Sequence, residues 1–358
     1  MSYINGFLLV DAPASALNNA GTIETERTDN IVGVKHIRTR AGVYPYVSAQ
    51  AFRYWLRTTL EKNTDLGWKP SPVFRETKIA YTDANPIEWW DDDLFGYMRA
   101  QSKKKDQKAD REERMAGTSM TETDDDITRI SPFRVSTLVS LAPVNITEDF
   151  GVMSRQEGNP VPHEHQFYKA VLKGLFSLDL NAAGTFTYKA RTGYKNLDSI
   201  RIKLAKEKKL EDLKEDKAYR LPREERQKRV SALLKGLAIL CGGAKQALHY
   251  TDVTPTVFMA AVVKGGNNPL HYIIGADEKG APVVKEEAFK ETLKVWRDQI
   301  LSPVYMGWTQ GFADEQREKA NKLAAQMENE GNGKFVAGHP REVIERLVED
   351  LSKNRWLE

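Results

Sequence analysis

The chain has 358 residues, 41% of them hydrophobic and 29% charged, and its 53 lysines and arginines against 50 acidic residues leave a formal charge of +3. This excludes disorder of the whole chain and leaves room for two or three domains, or one domain carrying large insertions. The longest apolar runs, at 7–10 and 257–263, fall far short of the roughly 20 residues that span a bilayer, and no basic region precedes the first. No membrane helix or secretory leader is expected, and a cytoplasmic location is. The single cysteine, Cys241, excludes an internal disulfide and a cysteine-cluster metal site, and its apolar neighbours point to a buried packing residue.

Residues 3–10 read as a buried strand ending at Asp11-Ala12-Pro13. After an Asn/Gly/Thr-rich loop, 31–37 and 43–47 flank RTRAG, a hairpin whose tip carries Arg38 and Arg40. Ser48 is placed as an N-cap, Val47 and Phe52 as a hydrophobic staple, and Phe52, Trp55, Leu56 and Leu60 recur at helical spacing, so a helix is predicted over 48–62. The stretch 64–132 has little apolar periodicity. Its residues 99–114 hold seven basic and four acidic side chains, and 115–126 add four acidic and no basic ones, the pattern of an insertion with a mobile tip.

Alternation of Phe133, Val135, Thr137, Val139 and Leu141 predicts a second strand, and Phe176, Leu178 and Leu180 a third before a turn at Ala183-Gly184. Residues 144–172 between them read as a second insertion. A segment at 201–229 with twelve basic and seven acidic groups leads into Val230, Leu233, Leu234, Leu237 and Cys241, a helix stopped by Gly242-Gly243. A final strand is predicted over 257–263, and 270–358 is largely helical by pattern. Without the insertions the order is strand, helix, strand, strand, helix, strand. That is an α+β chain in the order of the ferredoxin-like fold used by RNA-recognition motifs.

Gly331-Asn332-Gly333-Lys334 lacks the upstream Gly and the following Ser/Thr of a phosphate-binding loop. His163-Glu164-His165 has no third ligand at metal spacing and reads as a solvated loop; the runs Asp91 to Asp93 and Asp124 to Asp126 read as solvated faces. No metal and no cofactor is expected. The first helix carries more information. Gln50, Arg53 and Arg57 lie at spacings of three and four opposite the core stripe, so three donors would share an exposed face. A helix amino terminus flanked by arginine forks can seat a phosphate chain; a salt-bridged surface helix is the plain alternative. Lys35, His36, Arg38 and Arg40 add positive charge beside the helix start, and Gly242-Gly243-Ala244-Lys245-Gln246 adds a glycine turn where backbone could approach a ligand. Together these favour nucleic acid.

Several blocks then resemble, in order, the DevR-type branch of the Cas-seven family, the repeated backbone subunit of type I-B CRISPR Cascade: GFLLVDAPASALNNAG, ERTDNIVGVKHIR, YPYVSAQAFRYWLRTTL, DDDLFGYM, SPFRVSTLVSLAPV, EDFG, GLFSLDLNAAGTF and GGAKQALHYTDVTP. The resemblance covers about 3–265. It implies a modified RNA-recognition palm (1–63 with 133–143 and 173–265), fingers at 64–132, a thumb at 144–172 and a carboxy-terminal part at 266–358. The family helix that begins Ser-x-Gln corresponds to Ser48, Gln50, Arg53 and Arg57 and would hold the guide backbone. The thumb, which wedges between nucleotides, corresponds to the segment from Asp149 to Arg155, with Phe150, Met153 and Arg155 as candidate contacts; Arg27 in the ERTDN block is a further one.

The expectation is therefore a non-enzymatic CRISPR guide-RNA-binding filament subunit. It would accept any spacer by contacting sugar and phosphate while base edges stay free to pair with target DNA, in antiviral defence or RNA-guided transposition. The implied partners are guide RNA, target DNA, further copies of itself and Cas-five, Cas-eight and Cas-six type subunits. Two rivals stand beside it: a type III-like backbone subunit that cuts target RNA, for which Glu24, Glu26 and Asp29 are the available carboxylates, and a stand-alone RNA-binding regulator.

Overall fold

The apolar run that follows Tyr3 becomes the centre of a large mixed sheet. In the computed structural model, which describes residues 1–23, 31–75, 79–100, 120–155 and 157–358, this run is β1 (Ser2–Ser15). The chain continues through β2 (Asn19–Ile23), β3 (Ile31–Val34), the hairpin of β4 (His36–Thr39) and β5 (Gly42–Val47), and α1 (Ala49–Lys62). Next come β6 (Val73–Arg75), β7 (Ala80–Thr82), α2 (Trp90–Phe95), β8 (Tyr97–Arg99) and β9 (Ile127–Arg129). Two short strands, β10 (Phe133–Val135) and β11 (Leu138–Ser140), precede a long hairpin of β12 (Ile146–Met153) and β13 (Val161–Asp179). Then follow β14 (Thr185–Thr187), α3 (Ser199–Glu207), β15 (Glu211–Leu213), β16 (Ala218–Arg220), α4 (Arg223–Ala238) and β17 (Val257–Lys264). The chain closes with β18 (Ile274–Ala276), β19 (Pro282–Val284), α5 (Glu286–Val295), β20 (Val304–Trp308), α6 (Asp314–Asn329), β21 (Phe335–Gly338) and α7 (Pro340–Lys353).

The main sheet runs β21-β20-β17-β1-β13-β11-β5-β4, with β10, β12 and β3 also paired to β13. Around its centre, β17, β1, β13 and β10/β11 are all antiparallel to their neighbours. Side chains on a strand alternate between faces, and β1 is apolar on both. Ile4, Leu8 and Val10 enter a core with residues of α1, α4 and α7 such as Leu56, Leu234 and Leu347. Phe7 and Leu9 enter a second core with Phe289 of α5 and Leu323 of α6. Each such side chain fully buried stabilises the fold by about 1.5–3 kcal/mol. Gly6 lies opposite Ala260, where a Cβ would come within 2.1 Å of the Met259 carbonyl oxygen, so only glycine allows β17 to close on β1 there.

Local readings hold best. The first strand, the first helix and the strand from Val257 lie where the sequence places them, and Arg38 and Arg40 lie on a hairpin as expected, although only 36–39 pairs with β5 while 31–34 pairs with β2 and β13. Four expectations change. The 133–141 strand is two strands, because Ser136 breaks the ladder: its N–H donates to the Leu175 carbonyl and its hydroxyl accepts from the Leu175 N–H. The region 144–172 is not set off from the core at 173, since β13 passes from Val161 to Asp179 as one 19-residue strand. The helix after the basic segment ends at Ala238, before the glycines, and leaves Cys241 exposed rather than buried. Residues 266–358 do hold three helices, yet β20 and β21 extend the main sheet. Every residue of β20 is buried, so its sequence VYMGW shows no alternation for a pattern to detect.

Among the described residues no helix is long and apolar enough to cross a membrane.

Candidate nucleic-acid interface

Helix α1 opens as its sequence dictates. The Ser48 side chain accepts from the Ala51 N–H, while Val47 and Phe52 are both buried beneath the first turn. No acidic side chain occupies that first turn, so its positive dipole end is uncompensated from within the helix. Residues 17 and 18 tie three segments together at this point. The Asn18 side chain accepts from the Ser48 N–H at 2.9 Å, its carbonyl accepts from Lys35 N–H at 2.9 Å, and the Leu17 carbonyl accepts from Ala244 N–H at 3.0 Å. The cationic hairpin, the helix start and the Gly242-Gly243 turn therefore meet.

On the hairpin, His36 lies between Val34 and Arg38: Nδ1 donates to the Val34 carbonyl at 3.0 Å and Nε2 accepts from Arg38 Nε at 3.0 Å. Those bonds put the hydrogen on Nδ1 and engage only Nε of Arg38. Arg38 and Arg40 are exposed, and Lys35 is half-buried. On the helix, Gln50 is exposed.

Arg53 and Arg57 are where the sequence reading is corrected. Neither stands clear of the fold: Arg53 is half-buried, and Arg57, its side chain 29% exposed, is held by an ion pair. Arg53 donates to the Ser131 hydroxyl (3.1 Å) and to the carbonyls of Phe133 (3.0 Å) and Phe95 (2.5 Å), and it lies over the Phe95 ring. Burial, with Arg57 beside it, lowers its pKa to about 10, so it remains charged at neutral pH. Arg57 pairs with Asp91 at 2.7 Å and also covers the Phe95 ring. The cause is a second layer: α2 folds over the part of the helix surface that carries Arg53 and Arg57, while Gln50 and Tyr54 stay exposed. The Asp91 to Asp93 run is accordingly buried rather than solvated. Asp93 binds Arg129 at 2.5 Å and Arg229 at 2.8 Å, and Asp92 accepts from Ser71 and from the Asn85 N–H, each at 2.8 Å. Asp124 to Asp126 are exposed, as expected.

In the glycine turn, Gly243 has φ +109°, and a Cβ there would meet the Gln246 side chain and Leu17. Gln246 braces the turn: its amide nitrogen donates to the Gly242 carbonyl at 2.6 Å and its oxygen accepts from Thr251 N–H at 2.9 Å. It is a support of the site and not a free contact. Lys245, in the left-handed region at φ +54°, lies near enough to His165 to disfavour its protonation.

The His163-Glu164-His165 stretch is part of β13, not a loop, with Glu164 and His165 buried. The His165 ring packs on His249 at 4.9 Å and its Nε2 approaches Asp149 at 3.4 Å. Burial, then His249, lowers the His165 pKa, which keeps the ring neutral at physiological pH. Above this base the β12/β13 hairpin ends in an exposed apolar tip of Phe150, Val152, Met153 and Val161, followed by exposed Arg155. Phe150 and Met153 fall on opposite faces of β12, since they are three residues apart on a strand.

Three exposed residues escaped the sequence reading: Tyr54 on α1, and Leu248 and Tyr250 on the loop after the glycine turn. Tyr54, four residues after Gln50 on the helix, was the legible one. Arg27, Glu24, Glu26 and Asp29 lie outside the described residues, as does most of the charged segment 99–114. Among the described residues no three His, Cys, Asp or Glu side chains are placed to hold a metal ion.

The whole architecture is similar to that of subunits in two solved assemblies. One is titled "CRISPR RNA-guided surveillance complex" (TM-score 0.50, 12% identity, 97% of this chain and 99% of that one). The other is titled "CRISPR RNA-guided surveillance complex, pre-nicking" (TM-score 0.52, 10% identity, 98% of this chain and 100% of that one). By sequence, residues 10–279 match the family described as CRISPR-associated negative auto-regulator DevR/Csa2, and the chain belongs to that family. No curated protein matches it.

Proposed function

We propose that this protein is the guide-RNA-binding backbone subunit of a type I-B CRISPR surveillance complex. The observation that carries the reading is the meeting of a cationic hairpin, an acid-free helix start and Lys245 at the base of a protruding, apolar-tipped hairpin. Phosphates would lie along Arg38, Arg40, the first turn of α1 and Lys245, contacts that any spacer sequence satisfies. The tip with Phe150 and Met153 would part neighbouring nucleotides, and Tyr54 and Tyr250 offer ring faces to unstacked bases. The antiparallel order β17-β1-β13-β10/β11, with α1 after the first strand and α4 after the third, supports a ferredoxin-like palm from which the hairpin projects as thumb.

In this reading the subunit polymerises on the guide, leaves base edges for target DNA, and meets Cas-five, Cas-eight and Cas-six type partners. It performs no cleavage itself. The family resemblance points the same way, since in type I complexes cutting belongs to a recruited partner.

The test is guide affinity across salt concentrations for the double variant Arg38→Ala/Arg40→Ala with two unrelated spacers. Loss of two phosphate contacts lowers the slope of log affinity against log salt by about 1.4. Equal weakening for both spacers is expected; an unchanged slope removes the hairpin from the interface. Incubation of the assembled particle with complementary RNA and magnesium or manganese should leave that RNA intact.

A further inference from the structure

At the far end of β13, beyond Asp179, lies an open cleft of about 530 Å³ between β10, the turn after β13, the 187–196 loop and β16. It is unrelated to the helix start. Fourteen residues of extended strand separate His165 from Asp179, about 46 Å. Arg134, Lys189, Arg191 and Arg220 line it, and among the described residues none of the four is paired with a carboxylate. Their charge is not cancelled inside the cleft. Two acids stand on its wall, Asp179, which accepts from the Asn181 and Ala182 N–H groups, and Asp216, so two carboxylates face four cations. The floor is fixed by Arg129, held between Asp93 and the carbonyls of Ala182 and Thr185. At the mouth the Arg191 guanidinium lies 4.4 Å from the Tyr194 ring centre, and Tyr194 is 44% exposed.

Unpaired cations spread along a groove, with an aromatic ring at its mouth, suit a phosphodiester chain whose bases are unstacked. A duplex keeps its bases stacked and gives Tyr194 no face to cover. We infer that this cleft is a second nucleic-acid site, one that binds the backbone of a single strand distinct from the one at the α1 interface. Arg134, Lys189, Arg191 and Arg220 hold its phosphates, and Tyr194 stacks on one base. The inference does not depend on the guide-binding assignment, because no residue is shared between the two sites.

The experiment uses fluorescent 12-nucleotide single strands of mixed sequence, one DNA and one RNA, titrated with the full-length protein at several salt concentrations. The variants are Arg134→Gln/Lys189→Gln/Arg191→Gln and, separately, Tyr194→Leu. All four side chains are exposed, so melting temperatures should match that of the parent protein. Losing three phosphate contacts weakens binding on the order of a hundredfold at 0.1 M salt and lowers the salt slope by about 2, whereas Tyr194→Leu weakens it about tenfold without altering the slope. Loss confined to the DNA arm, or to the RNA arm, identifies which strand the cleft takes. The same losses should appear when the cleft changes are placed in the Arg38→Ala/Arg40→Ala background. Unchanged affinity and slope for both probes would overturn the inference, as would intact strand binding accompanied only by altered self-association in sedimentation.

Discussion

Arg57 and Arg38 represent two regions that use one side chain for opposite ends. The clamp between α1 and the 64–132 region surrounds its arginines with buried aspartates and carbonyls, and the charge is consumed by folding. The hairpin leaves Arg38 and Arg40 exposed beside a helix start without acids, and there the charge is available for a ligand. A stripe of arginines opposite a core is thus not yet a binding face. What decides is whether a second layer arrives bringing acids with it: each buried charge requires a partner.

The strongest test of the contrast is Asp93→Ala. It leaves Arg129 and Arg229 buried without their shared carboxylate and should cost about 3–5 kcal/mol in denaturant unfolding. A loss below about 1 kcal/mol would mean that the clamp is not what joins the layers.

Asp92 gives the next effect, through pH. Burial pushes its carboxyl up to about 6, so between about pH 4 and 6 the folded protein holds a proton that the unfolded chain has released. Its contribution therefore makes stability fall as pH rises across that window and level off above it. Asp92→Asn should abolish this component, up to about 3 kcal/mol; unfolding curves at pH 4, 5, 6 and 7 with the parent slope would count against it.

Smallest is Arg53→Ala, expected to cost about 2 kcal/mol for the lost charged hydrogen bonds while leaving the salt slope of RNA binding unaltered. It mirrors the hairpin double variant, which should change the slope and leave unfolding within about 0.5 kcal/mol. A fall in slope for Arg53→Ala would erase the distinction.

The sequence displayed what is decided locally. Ser48 with Val47 and Phe52 marks a helix start, and the RTRAG turn marks a hairpin, because caps and turns are chemistry between near neighbours. Arg53 and Arg57 were legible as one face but not as one covered by α2, since Asp91 is 34 residues from Arg57 and nothing local reveals which acid a base will meet. β13 was seen only at its apolar end; HEHQ, at the other, alternates polar with polar and hides a strand that pairing alone defines. Gln246 was read as a ligand contact because a glycine turn displays its donors without showing that they are already bound. Periodicity missed the β12/β13 hairpin, whose tip, with exposed Phe150 and Met153, falls in the segment that the family resemblance singled out.

The position of β1 also shapes how the chain is made. Its two neighbours in the sheet, β13 and β17, follow it by roughly 170 and 250 residues. At synthesis rates of about 5–20 residues per second, the strand FLLV waits on the order of 10–50 s before both edges are covered. Pairings this distant in sequence give slow folding. Throughout that interval this strand, buried on both faces in the finished sheet, has an uncovered edge able to pair with the same strand of another nascent chain. Yield of folded protein should therefore depend on temperature and expression rate more steeply than the stability of the finished sheet would suggest.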